Sequence, residues 1–296
     1  MSDSRTELDR LAVGIMLVLC TVWGLQQVVV KVANAGISPI FQSGLRSIGA
    51  FVLVLVWAKL RGVRLMESDG TLWAGILAGL LFAAEFALIY VALEYTDASR
   101  GVIFLYTAPF FVALGAIWLL PNERMRRVQW IGMALAFGGV VVLFGENIGR
   151  AGEQAWIGDL MILLAAALWA ATTLVIKASA LARVSPEKTL LYQLGVSALV
   201  LPPLSLLLGE PGVFAPTALV WASVAFQIFV VASSSYLAWF WLIRHYPATR
   251  LSSFSFLTPV MGVLAGVALL GEPLTLAVVI AMALVGAGIW MANALR

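Results

Sequence analysis

Two stretches decide the fold: Cys20–Ala33, CTVWGLQQVVVKVA, and Ala166–Ser179, AALWAATTLVIKAS. Each is apolar, and each sets a lysine eight residues after a tryptophan, Trp23…Lys31 and Trp169…Lys177. The echo continues outward. Ser38-Pro39 answers Ser185-Pro186, Pro109 answers Pro259, and Glu123 answers Glu272. The run Ile131–Leu135 answers Ile280–Leu284. The offset stays between 146 and 150 residues. Self-similarity at a fixed offset marks a duplication, which divides the chain into 1–147 and 148–296.

Composition sets the solvent of this duplicated unit. Hydrophobic residues make up 62% and charged residues 11% of the chain. A soluble domain carries roughly 45–50% apolar and 25% charged residues. A bilayer span needs about 20 apolar residues. Ten such stretches follow, near 11–33, 40–60, 72–94, 98–119, 127–145, 156–177, 187–208, 217–243, 248–270 and 274–293. The first follows the polar leader Met1–Arg10; it is read as mature because it is long and carries the repeat motif. Cys20 is the single cysteine, so no intrachain disulfide and no cysteine metal cage can form.

Basic residues fall at alternate span ends. One side collects fourteen of the eighteen, among them Lys59, Arg61, Arg64, Arg124, Arg126, Arg127, Arg183, Lys188, Arg244 and Arg250. The other holds Arg100 and Arg150. Lys and Arg in short loops stay inside, so both termini are expected in the cytoplasm. Five spans per repeat is an odd number, so the second repeat is inverted. The expected fold is therefore an all-α integral membrane protein of ten transmembrane helices in two inverted five-helix repeats. The formal charge of +3 is the orientation signal plus attraction to lipid headgroups, and calls for no nucleic acid.

These pieces, in order and twice over, carry a family likeness. The chain resembles the drug/metabolite transporter superfamily in its ten-span EamA-type branch. The resembling residues are the two Trp–Lys pairs, the two Ser-Pro pairs, Arg46 in span two, and Pro109…Glu123 with Pro259…Glu272. Within the branch it is most similar to bacterial exporters of aromatic amino acids. The resemblance implies an inner-membrane carrier of a small molecule, working in the export direction without a cofactor, with eight helices lining a path and two outside.

Polar residues in hydrocarbon usually face protein or water. Spans five and ten offer almost none, and carry small residues at four-residue spacing, Ala134/Gly138 and Ala283/Ala287. Such spacing admits close helix approach, so these are read as packing helices or the contact of a homodimer. The candidate substrate-binding residues lie elsewhere: Trp23, Gln26, Gln27, Gln42, Arg46, Glu85, Tyr90, Trp169, Thr173, Tyr192, Gln193, Ser235 and Trp239. Arg46 and Glu85 are the charges well inside the spans, about 9 Å and 14 Å from the outer helix ends at 1.5 Å per residue. They either neutralise each other as an ion pair or handle a zwitterion. In the second case Arg46 takes a carboxylate through its planar fork, and Glu85 takes the ammonium or a coupling proton. Trp23 and Trp169 either pack between repeats or touch an aromatic substrate. Pro109 and Pro259 each remove a helical hydrogen bond, as a static bend or as a hinge. Glu123 and Glu272 are expected to complement the starts of spans five and ten.

No G-x-x-x-x-G-K-[ST], H-E-x-x-H or G-x-S-x-G occurs. A membrane-embedded enzyme would have to rely on Glu85 and Tyr90, and a channel is the other different-class reading. The duplicated inverted repeat favours a secondary transporter.

Overall fold

The chain enters its first helix at Asp9, whose carboxylate accepts the Ala12 N–H at 2.9 Å. The computed structural model describes residues 8–67, 69–96, 98–123, 125–145, 152–270 and 276–293. Seven expected spans are single helices: α1 (Arg10–Asn34), α2 (Pro39–Leu60), α3 (Leu72–Tyr95), α6 (Arg127–Phe144), α7 (Ala155–Ala178), α8 (Pro186–Leu207) and α13 (Leu276–Asn293). The other three are interrupted. Span four is α4 (Ala98–Leu105) and α5 (Ala108–Leu119); span nine is α11 (Ala248–Phe254) and α12 (Leu257–Leu270). Span eight is α9 (Ala218–Phe226), a π segment Gln227–Ser235, and α10 (Tyr236–His245). Among the described residues, eight helical segments are long and apolar enough to cross a membrane, and Arg127–Leu143 is a shorter apolar helix.

The interruptions have local causes. Thr107 Oγ1 donates to the Phe104 carbonyl at 2.6 Å, and Ser255 Oγ donates to that of Ser252 at 2.6 Å. Each hydroxyl tightens a turn at equivalent points of the two repeats. Pro109 follows directly, in the first turn of α5, where its missing N–H is not needed. Pro259 stands in the first turn of α12. The sequence suggested bends at the prolines; the breaks lie just before them. In span eight, Ser233 and Ser234 donate to carbonyls five residues back, at 2.7 and 2.8 Å, which accompanies the wider π turn.

Matching helices run in opposite directions. Strand-like pairing of Ile37 with Val213 and the Ser38–Gly212 hydrogen bonds join the end of α1 and start of α2 to the loop after α8. There Glu210 accepts the N–H groups of Ile40 and Phe41 at 3.0 and 2.9 Å, capping α2. The other end gathers Arg64, Arg183, Lys188 and Arg244 and is called the basic end here. At that end α8 begins and α2 finishes. Inversion thus brings equivalent helices together antiparallel.

The repeats interlock. α1 packs on α12, where Gly24 is so close to Gly262 that an added Cβ would lie 2.7 Å from its nitrogen. Its counterpart is the packing of α7 on α5, with Leu174 filling the space over Gly115. α6 and α13 cross at Gly132 and Gly288, where a Cβ would come within 2.4 Å of the other helix's backbone. Spans five and ten therefore pack on each other. The stripe they use is Gly132/Ala136 against Gly288/Ala292, while Ala134, Ala283 and Ala287 point outward.

Candidate functional site

Helical spacing assembles the wall of a cavity. Phe82, Glu85, Phe86 and Ile89 share one face of α3, and Trp169, Thr172, Thr173 and Ile176 repeat that spacing on α7. Tyr236, Trp239 and Phe240 face them from α10, and Trp23 and Gln26 from α1. Leu105, Tyr106 and Gln193 complete the lining. The cavity measures about 80 Å³. Eight aromatic rings make it suited to a flat apolar ligand. Trp23 meets Trp239 edge-on at 5.4 Å, and Tyr106 meets Trp169 edge-on at 6.2 Å. The Trp23 indole N–H donates to Ser235 Oγ at 2.9 Å, which fixes the ring. Ser235 thus holds a wall residue in place. Glu85 is the sole carboxylate among the described lining residues, and no lysine or arginine joins them.

Arg46 lies behind that wall. Its guanidinium carbon sits 3.9 Å from the Phe86 ring centroid, 5.5 Å from Tyr90 and 5.9 Å from Phe82. It is 0% exposed, and none of its side-chain nitrogens has a hydrogen-bond partner among the described residues. No direct ion pair to Glu85 forms among the described residues, yet the two charges attract each other across the wall. A cation–π contact contributes ~2 kcal/mol when desolvated. Burying an unpaired charge costs several kcal/mol. The rings therefore offset only part of the cost, and the Glu85 carboxylate and Tyr90 hydroxyl, which both interact with the guanidinium, offset more of it.

Around Arg46 stands a further polar group of residues. Tyr90 donates to Gln227 Oε1 at 2.6 Å, and Gln42 donates to the same oxygen at 3.3 Å. Gln193 is fully buried with both amide atoms unpartnered, yet it also lines the cavity. Tyr192 lies apart, its hydroxyl 3.1 Å from Thr71 at the basic end. Gln27 belongs to α1, and its side chain lies outside the described residues. The sequence reading left aside Phe82, Phe86, Tyr106 and Phe240, because an apolar ring on an apolar helix carries no signal of its own. The three-four spacing around Glu85 was the available clue.

Charged residues of the duplicated motifs meet at the basic end. Lys177 Nζ lies 3.1 Å from Glu123, and the same carboxylate accepts the Ala248 N–H at 2.6 Å. Glu123 thus complements the start of α11, not that of α6, because the turn after α5 carries it across to the other repeat. Glu272 lies outside the described residues. Lys188 pairs with Asp69 at 2.7 Å, and with Thr71 it lowers the Asp69 carboxyl to about 2. At the opposite end Arg100 pairs with Asp159, to which Thr96 also donates at 2.8 Å. Both are buried, at the end of span four to which the sequence had assigned Arg100.

Comparisons with known proteins agree with this architecture. The EamA-like transporter family matches twice, over residues 10–145 and 156–294. A "Probable amino-acid metabolite efflux pump" of Salmonella typhimurium is 31% identical over 289 residues, covering 94% of this chain and 91% of that protein. An "Uncharacterized transporter" of Bacillus subtilis is 24% identical, with 91% and 92% covered. An "Uncharacterized inner membrane transporter" of Escherichia coli is also 24% identical, with 88% and 84% covered. A solved crystal structure aligns with a TM-score of 0.79 at 22% identity, covering 94% of each chain, and so shares the fold. With two family matches spanning both halves, this chain belongs to the EamA-like transporter family.

Proposed function

We propose that the protein exports small amphipathic metabolites, aromatic and other apolar amino acids first among them, across the bacterial inner membrane by alternating access. The observation that carries this reading is the cavity: eight aromatic rings around one carboxylate, with the guanidinium of Arg46 against the Phe86 ring. An amino acid has three parts, and each finds a counterpart. The side chain lies among the rings. The ammonium lies at Glu85. The carboxylate reaches Arg46, where it makes a charge-assisted pair with the buried guanidinium. The name of the Salmonella relative supports the same substrate class. Motion at the equivalent breaks before Pro109 and Pro259 would open the cavity to either side.

The positive-inside pattern supports a cytoplasmic setting for both termini and the basic end. With Cys20 replaced, cysteines at Met66 and Arg183 should label from the cytoplasm only, and one at Phe214 from outside only. The function itself is tested by counterflow in proteoliposomes with a panel of amino acids. Phenylalanine and tryptophan should exchange fastest and unchanged, ahead of alanine and glycine. Equal exchange across the panel, or a chemically altered product, would contradict the proposal.

A further inference from the structure

At the basic end the two repeats enclose a pocket of about 680 Å³. It lies where α2 and α10 finish and α8 begins, at the level where hydrocarbon gives way to lipid head groups. Arg64, Glu67 and Asp69 come from the turn after α2, Arg183 and Lys188 from the segment that enters α8, and Arg244 from the end of α10. These charges do not cancel. Arg64 pairs with Glu67 and Lys188 with Asp69, at 2.8 and 2.7 Å. Among the described residues neither Arg183 nor Arg244 forms an ion pair, and the Arg244 Nε is buried without a hydrogen-bond partner. The 3-10 turn that ends at Arg183 packs against α10, so the two guanidinium groups reach one pocket from adjoining elements. Ser185 Oγ accepts the Lys188 N–H at 3.2 Å, which leaves its own proton to donate. Val63, Ala180 and Val184 add an apolar side. Orientation in the membrane asks only for basic residues on one side; it does not ask for two unpaired guanidinium groups at one pocket.

We infer that this pocket binds a phosphate group, held by Arg183 and Arg244 and carried on the head of an anionic phospholipid. The planar fork of arginine matches phosphate oxygens two at a time. Four cations against two carboxylates leave two positive charges at the pocket, as an anionic phosphate requires. Two sources offer that chemistry, a lipid head group and the free ion. Size and lining favour the lipid. The pocket is far larger than a bare phosphate, and its apolar side suits the carbon backbone of a glycerophosphate. Basic pockets between spans at the cytoplasmic face suit such heads. Both repeats form the pocket, so a bound head group favours the arrangement in which they meet at this end. Neither the pocket nor its charges depend on which substrate the protein carries.

The test follows the melting temperature of the full-length protein in neutral detergent micelles doped with phosphatidylglycerol, at constant ionic strength. A ligand of the folded state raises that temperature by mass action. The wild type should show a saturable rise that phosphatidylcholine does not give. The half-saturating mole fraction should increase about fivefold in Arg183→Gln and about thirtyfold when Arg244→Gln is added. Lys59→Gln with Arg127→Gln removes two exposed basic residues at the same end but outside the pocket, and should leave half-saturation unchanged. If the variant with Arg244→Gln does not fold, Arg183→Gln alone decides, because its side chain is exposed. Equal rises with the two lipids, or equal shifts in the pocket and control variants, would reduce the effect to diffuse attraction and overturn the site. Inorganic phosphate forms a second arm. A rise with phosphate as large as with the lipid, and lost in Arg183→Gln, would keep the phosphate site and overturn the lipid assignment.

Discussion

The aromatic cavity and the buried polar setting of Arg46, called the chamber here, share a wall and differ in how their groups are satisfied. In the cavity Trp23 has Ser235, Thr172 has the Leu168 carbonyl, and Glu85 faces open space. Behind the wall Ser43 and Ser197 are buried without a hydrogen bond, and the guanidinium rests mainly on ring faces. Rings supply contact area that is tolerant of ligand shape. Unsatisfied buried donors demand one kind of partner. The cavity therefore sets how apolar a ligand is, and the chamber which head group it carries.

The sharpest way to break this division is Arg46→Gln. Losing one charge-assisted bond of about 1.5–3 kcal/mol should weaken phenylalanine binding roughly ten- to hundredfold by titration calorimetry. Undiminished affinity would reduce the chamber to structure. Trp239→Ala acts on the other side of the wall. Loss of one aromatic contact, about 0.5–1.5 kcal/mol, should weaken phenylalanine roughly two- to twelvefold and leave alanine nearly unchanged. An equal loss for both ligands would mean that the ring shapes the fold and does not touch substrate. Glu85→Gln sharpens the cavity's polar role. If Glu85 carries a proton, uptake should lose its dependence on an imposed pH gradient while counterflow persists. Wild-type flux that ignores the gradient would leave Glu85 with the ammonium alone.

The smallest effect belongs to Asp69, outside both spaces. Lys188, and then Thr71, hold its carboxyl at about 2, below the usual 3.8. A depressed carboxyl adds stability that is full above the ordinary value and lost as pH falls through the lowered one. Acid unfolding of Asp69→Asn should accordingly lack part of the slope between those two values, with transport at neutral pH unchanged. An identical acid profile would mean that the Lys188 pair adds nothing.

Legibility from sequence follows the same physical line. The Trp–Lys repeat and the span lengths foretold the helices and their inversion, because bilayer thickness and hydropathy act on each span separately. The interruptions were harder to see. Prolines drew attention in spans four and nine, yet Thr107 and Ser255 close the turns at the breaks. The serine run of span eight read as plain polarity, although two of its hydroxyls bond five residues back. Arg46 and Glu85 stood out as charges in hydrocarbon, but similar depth does not bring two side chains together. Phe86, silent in sequence, has its ring stacked on the arginine. Small residues at four-residue spacing flagged spans five and ten, and only the packing of α6 on α13 separates the stripe that is used from the one beside it.

The central claim is that Arg46 receives the carboxylate of an amino acid whose side chain lies among the cavity's rings. A double cycle tests it most directly, crossing Arg46→Gln with the change from phenylalanine to its methyl ester, with inhibition of counterflow as the readout. Esterification should weaken the ligand about ten- to hundredfold in the wild type and hardly at all in the variant. Equal losses in the two proteins would contradict the claim.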